Sequence, residues 1–172
     1  MKLLVGLGNS GEDYARTRHN AGWLALDWLA DAWDLPAWRR QKKLDSLVIR
    51  DTQRDLVLAK PETMMNNSGW AVQKLLDYYE LSVQNLILIH DDADLPLGEV
   101  RQNIASRTGA GHHGVLSVID HVGPGFKRIR IGIGRPEQPV RNIGGFVLDR
   151  LSPAETKTLE QSFTDQLPSL IS

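Results

Sequence analysis

Leu86-Ile87-Leu88-Ile89-His90-Asp91-Asp92 is the stretch that decides the fold. Its apolar residues run without alternation, the mark of a strand covered on both faces, and such strands belong to sheets with helices on either side. The run then breaks into three polar residues. In open α/β sheets, ligand sites form at the carboxyl ends of strands, so the same stretch points to the site.

Toward the N-terminus, Lys2 to Leu7 reads as a first apolar strand ending in glycines. Ala21, Leu24, Ala25, Trp28, Leu29 and Ala32 recur at helical spacing within residues 20 to 33. Trp23, Leu26 and Trp33 make that helix apolar on more than one side, so it is expected to be well buried. Leu44 to Ile49 and Asp55 to Ala59 predict a hairpin across Thr52-Gln53. A second helix is predicted over about 67 to 79.

Toward the C-terminus, Pro96-Leu97-Gly98 predicts a turn and Glu99 to Asn103 a short strand. A glycine-bearing loop, Thr108 to Gly111, opens a helix to about Asp120. Lys127 to Ile133 alternates Arg128 and Arg130 against Ile129 and Ile131, as in a half-exposed strand. Ser152, Pro153 and Glu155 form an N-cap, first helical residue and capping-box partner for a last helix. Strands alternating with helices predict a three-layer α/β/α sandwich with a twisted mixed sheet, as one domain over residues 1 to 172.

Composition narrows the function classes. The chain has no cysteine, which excludes a disulfide scaffold, thiolate zinc and a cysteine nucleophile, and fits a reducing compartment. Met1 to Val5 is too short an apolar run for a signal peptide, and no stretch approaches the roughly 20 apolar residues of a membrane span. A cytoplasmic protein is expected. The net charge of -1 argues against a strongly basic nucleic-acid binder. Charge is segregated, however: Arg39, Arg40, Lys42 and Lys43 cluster, as do Lys127, Arg128 and Arg130, so a basic face remains open.

Gly6-x-Gly8-x-x-Gly11 matches a dinucleotide fingerprint in spacing only. That fingerprint needs a helix opening at the glycines, and here the helical pattern starts after Asn20. The glycines instead predict a sharp turn that brings Asn9 to the sheet edge. His19 lies just before the helix in a polar run. It reads as a surface or cap-neighbouring histidine, or as a general base, which imidazole suits at pH 7. A base of this kind needs an acceptor to fix its tautomer. Asp91 or Asp92 would serve, and only one of them, because strand neighbours point oppositely.

His90, Asp91, Asp92 and Asp94 also suggest a hard-cation site, although neighbours on a strand diverge. Asn66, Asn67 and Ser68 suggest a helix cap, or an amide that holds a carbonyl or a water. The loop at Gly109 and Gly111 suggests a phosphate cradle or a simple turn. No Gly-x-Ser-x-Gly elbow is present, so a water nucleophile is the simpler chemistry.

Several motifs occur in order over about residues 3 to 148. They are Val5-Gly-Leu-Gly-Asn9, Thr17-Arg18-His19-Asn20-Ala21-Gly22, Lys60-Pro61-x-Thr63-Met64-Met65-Asn66, His90-Asp91-Asp92-x-Asp94-Leu95-Pro96, Gly111-His112-His113-Gly114, Arg130-Ile131-Gly132-Ile133-Gly134-Arg135-Pro136 and Gly145-Phe146-Val147-Leu148. Together they resemble the bacterial-type peptidyl-tRNA hydrolase family. The resemblance implies a monomeric, metal-independent esterase with no cofactor. It would cleave the ester between a peptide and the terminal ribose of tRNA, recycling tRNA from prematurely released chains. It implies that His19 activates water, Asp91 orients His19, and Asn9 helps distinguish blocked from free aminoacyl ends. Tyr14, Met64 and Asn66 match substrate-contacting positions, Met65 lies in the same cleft, and Arg130 matches a basic position of the tRNA face.

Three departures from the family pattern stand out. His113 occupies the place of a substrate-contacting asparagine; it lacks the amide's carbonyl and paired donors, and it titrates in mild acid. The loop from Ile104 to Ala110 offers Arg107, with Arg101 before it, as phosphate contacts in place of the usual lysine- and glycine-rich form. The chain also stops soon after its last helix, short of the family's usual C-terminal segment, which implies looser substrate capture. The alternative is a non-catalytic tRNA- or RNA-binding protein on the same scaffold, which His113 favours and intact Asn9, His19, Asn66 and Asp91 oppose. A nucleotide-cofactor oxidoreductase is more distant.

Overall fold

Strands β1 (Lys2–Gly6) and β5 (Leu86–Asp92) lie side by side and parallel, with Val5 opposite Leu88 and Gly6 opposite Ile89. The computed structural model describes residues 1–109, 111–136 and 143–171. Around this pair run β2 (Arg39–Gln41), β3 (Ser46–Asp51), β4 (Leu56–Pro61), β6 (Val100–Ile104) and β7 (Lys127–Gly132). The order across the sheet is β2-β3-β4-β1-β5-β7-β6. Its centre is parallel, and β2-β3, β3-β4 and β6-β7 are antiparallel.

Helices cover both faces. α1 (Ala21–Ala32) and α5 (Pro153–Ile171) pack on Leu4, Leu58, Ile87, Ile89 and Ile131. α2 (Ser68–Tyr78) and α3 (His113–Val122) pack on Leu3, Val5, Val57 and Leu88. Alternate residues of β1 and β5 thus enter opposite cores, which is why the Leu86 to Ile89 run has no polar member. The expected three-layer sandwich and its mixed sheet are present. The capping box forms as read, with the Glu155 N–H donating to Ser152 Oγ at 3.2 Å and the Ser152 N–H to Glu155 Oε2 at 2.7 Å.

Three expectations need correction. Arg128 is not on a half-exposed face: it is 3% exposed, because His90 on the neighbouring strand takes its guanidinium. Asn67 holds the N-cap place of α2 without a side-chain cap bond, and the Ser68 hydroxyl donates to the Met65 carbonyl instead. Of the three glycines Gly11, at φ 109°, starts a turn in which its carbonyl accepts the Tyr14 N–H, whereas Gly6 and Gly8 do not serve one. A Cβ at Gly6 would lie 2.4 Å from the Gly22 carbonyl oxygen, so this glycine permits contact between β1 and α1.

Candidate active site

The connections from the sheet place one crevice. β1 leads to α1 on one face, and β4 leads to α2 on the other, so the chain diverges above the carboxyl ends of β1, β4 and β5. A cleft of about 660 Å³ opens there. Asn9, Tyr14, His19, Met64, Met65, Asn66, Asp91 and His113 all line it, so most of the sequence-predicted residues meet in one place. A fourth short helix, α4 (Ile143–Leu148), contributes Ile143, Val147 and Leu148 to its wall.

Arg130, Arg101 and Arg107 are not among the lining residues. Arg101 and Arg130 face each other in the β6–β7 ladder at the sheet edge. Arg130 Nε donates to Asp92 at 2.6 Å, Arg101 pairs with Glu99, and Arg107 is exposed beyond β6.

His19 enters from the short 3-10 turn Arg18–Asn20 just before α1. Its Nδ1 lies 2.9 Å from each oxygen of Asp91. A carboxylate only accepts, so Nδ1 carries the proton and Nε2 keeps its lone pair. The choice between the two aspartates is therefore made: Asp91 takes His19, and Asp92 takes Arg130.

Asp91 has a second partner that sequence reasoning did not single out. His112, at the N-cap of α3, donates from Nε2 to Asp91 Oδ1 at 2.9 Å. Its Nδ1 accepts the Val115 N–H at 3.3 Å, which fixes the tautomer. The His19 and His112 rings are 4.9 Å apart, on either side of the carboxylate. Burial alone would raise the Asp91 carboxyl. Hydrogen bonds from His112 and His19, with the charge of either ring whenever it is protonated, outweigh burial and hold it well below the usual carboxylate range. Asp91 therefore stays ionised while 1% exposed.

Asn9 is held from three directions. Its Oδ1 accepts the Met65 N–H at 2.7 Å. Its own N–H donates to Asn20 Oδ1, and its carbonyl accepts from Asn20 Nδ2, both at 2.9 Å. That leaves the Asn9 side-chain nitrogen as a positioned donor on the cleft. Asn20 is fully buried; it stands in the motif around His19, but nothing in the sequence assigned it a role.

The predicted cation cluster does not assemble, since His90 meets Arg128, Asp92 meets Arg130 and Asp94 meets Arg135. Among the described residues, His19, Asp91 and His112 do bring ligand atoms within 4.8 Å of one another. As hydrogen bonds these contacts need a proton on each imidazole nitrogen facing Asp91, and a cation there would have to displace both protons. The phosphate cradle also loses amides it would need: the His112 N–H bonds the Gly109 carbonyl, and the Val115 N–H bonds His112. Ala110 of that loop lies outside the described residues.

The peptidyl-tRNA hydrolase family model matches residues 3–171. The chain belongs to the peptidyl-tRNA hydrolase family. A peptidyl-tRNA hydrolase of Aquifex aeolicus is 42% identical over 162 residues, covering 94% of this chain and 83% of the relative. One from Mesoplasma florum is 40% identical, with 92% and 85% covered. The crystal structure of the Acinetobacter baumannii peptidyl-tRNA hydrolase superposes with a TM-score of 0.89 at 32% identity, covering 99% of this chain and 86% of that one. Among the described residues no helix is long and apolar enough to cross a membrane.

Proposed function

We propose that this chain hydrolyses peptidyl-tRNA, with His19 as general base, Asp91 as its orienting partner and Asn9 as a donor to the reacting carbonyl. The observation that carries the reading is the pair of 2.9 Å contacts from His19 Nδ1 to Asp91, which leave Nε2 free as an acceptor.

A water on Nε2 gives its proton to His19 as its oxygen attacks the ester carbonyl carbon. The carbonyl electrons move onto oxygen, and the Asn9 amide donates to that oxyanion. When the tetrahedral intermediate collapses, the bond from carbon to the ribose oxygen breaks. The imidazolium returns its proton to that oxygen. The products are a peptide carboxylic acid and a tRNA with a free ribose hydroxyl, so atoms and charge balance. Asp91 stays ionised throughout and stabilises the imidazolium.

Met64 and Leu148, 43% and 46% exposed, join Val147 in an apolar wall suited to peptide side chains. Tyr14, Asn66 and His113 supply polar contacts at the mouth for the substrate ends. Arg101, Arg107 and Arg130 form a basic margin along the sheet edge for the phosphate backbone of tRNA. We place the protein in the cytoplasm, acting as a monomer.

The test uses an N-acetylated aminoacyl-tRNA and its free aminoacyl counterpart. Release is expected from the acetylated form and is lost in His19→Ala. No release, or release that survives the substitution, overturns the reading. Retained tRNA binding without release would instead favour the non-catalytic binding protein.

A further inference from the structure

Arg128 is 3% exposed on β7, yet among the described residues no carboxylate lies within ion-pair distance of it; the adjacent Asp92 pairs with Arg130. Asp92 favours its charge only from beyond contact, and a buried cation without a direct ion pair is costly, so its other contacts need an account. Arg128 Nε and Nη2 both donate to His90 Nε2, at 3.1 and 3.0 Å. A guanidinium only donates, so Nε2 must be the unprotonated nitrogen of His90. The proton therefore sits on Nδ1, which donates to the main-chain carbonyl of Asp91 at 2.7 Å. His90 is 1% exposed; burial first, then His112 whenever that ring is protonated and the Arg128 charge, hold its pKa well below the ordinary histidine value.

Asp91 is thus held at both ends. His19 and His112 grip its carboxylate, and the Arg128–His90 pair grips its peptide. Both Arg128 and His90 line the same cleft as His19. Asp91 is the next-to-last residue of β5, near the end of the ladder, where Asp92 is opposite Gly132. A carbonyl fixed there sets the direction in which the side chain leaves the strand.

We propose that Arg128 is a positioning residue of the reaction: through neutral His90 it fixes the Asp91 main chain, and so the direction from which Asp91 holds His19. This inference rests on the hydrolase reading above. A misplacement near 1 Å at a reacting group costs on the order of 100-fold in rate.

The experiment is a double-mutant cycle of Arg128→Met and Asp91→Asn, followed by kcat and KM on N-acetylated aminoacyl-tRNA. Arg128→Met is expected to lower kcat by roughly 10- to 100-fold with KM within about twofold. In the Asp91→Asn background the same substitution should change kcat by less than about twofold. A loss of equal size in both backgrounds, or one confined to KM, overturns the proposal. If Arg128→Met fails to fold by circular dichroism, Arg128→Lys carries the same comparison, because an ammonium replaces the two-point fork with a single point. A kcat within twofold of the parent for that variant also overturns it.

A second readout needs no turnover. The proton resonance of His19 Nδ1–H should shift or broaden in the folded Arg128 variant, and an unchanged resonance overturns the proposal. An inactive parent protein would defeat the hydrolase reading instead. An active parent with an inert Arg128 would defeat only this inference.

Discussion

Replacing Asp91 by asparagine removes one negative charge and leaves the side chain's shape almost unchanged. The carboxylate accepts from His19 Nδ1 on both oxygens and from His112 Nε2 on one. An amide has one acceptor and one donor group. Placed with its oxygen at the shared position, it points an N–H at His19 Nδ1 and favours the tautomer with the proton on Nε2. Reversed, it points an N–H at His112 Nε2, whose proton cannot move because Nδ1 already accepts the Val115 N–H. The first placement therefore costs Nε2 its lone pair for the water, and the second sets a fixed donor against a donor. The larger loss falls in the transition state, when His19 becomes an imidazolium beside a group that no longer carries charge. Unit charges about 4 Å apart at an effective dielectric near 20 interact by about 4 kcal/mol. At ~1.4 kcal/mol per tenfold, kcat should fall roughly 1,000-fold. Binding lies elsewhere in the cleft, so KM should stay within about threefold of the parent. The assay is single-turnover release of an N-acetylated amino acid from tRNA, with circular dichroism to show folding. A folded variant that loses less than tenfold in kcat would refute the role given to Asp91.

Three other perturbations test the scaffold around it. His90 is held below its ordinary pKa by burial first, then by His112 and Arg128, so the unfolded chain takes up a proton below about pH 6.5 that the folded chain refuses. Stability is therefore lost as pH falls; urea melts at pH 6.5 and 5 should differ more in the parent than in His90→Gln, and equal slopes would contradict this. Asn20→Ala leaves the buried Asn9 N–H and carbonyl without partners, which should cost about 2–4 kcal/mol and also slow turnover by loosening Asn9. Gly22→Ala puts a Cβ 2.3 Å from the Ile89 carbonyl oxygen and 2.6 Å from the Leu7 nitrogen. Backbone cannot yield there, so a loss of about 3 kcal/mol or more is expected, read as a fall in Tm of roughly 6–12 °C.

The fold was legible wherever the signal is local. The unbroken Leu86 to Ile89 run, the spacing from Ala21 to Ala32 and the Ser152–Glu155 box each carry their meaning within a dozen residues, and each forms as expected. The site was legible only in part. His19 and Asp91 stand out as residue types, but 72 positions separate them, and only the sheet order brings them together. Arg128 misled because a charged residue alternating with isoleucines looks solvated. What buries it is an imidazole on the adjacent strand, a relation that periodicity does not encode. His112 escaped for a similar reason. Its residue type gives no sign of the two roles it has, as the N-cap of α3 and as a donor to a carboxylate 21 residues earlier.

The sheet order explains why these residues depend on one another. α1 and α2 leave the neighbouring strands β1 and β4 on opposite faces, so the crevice between them opens at the strand ends, where Asn9, His19, His90, Asp91 and His112 line it. The polar groups there fix each other. Asn20 holds Asn9, Asn9 holds Met65, His112 holds Asp91, and Asp91 holds His19. Each bond satisfies a buried group that would otherwise be costly, so the network that orients the base also secures the floor of the cleft. Substitutions within one chain of contacts should therefore be strongly non-additive, while Asn20 and His112, which approach from opposite sides and share no partner, should act nearly independently on stability.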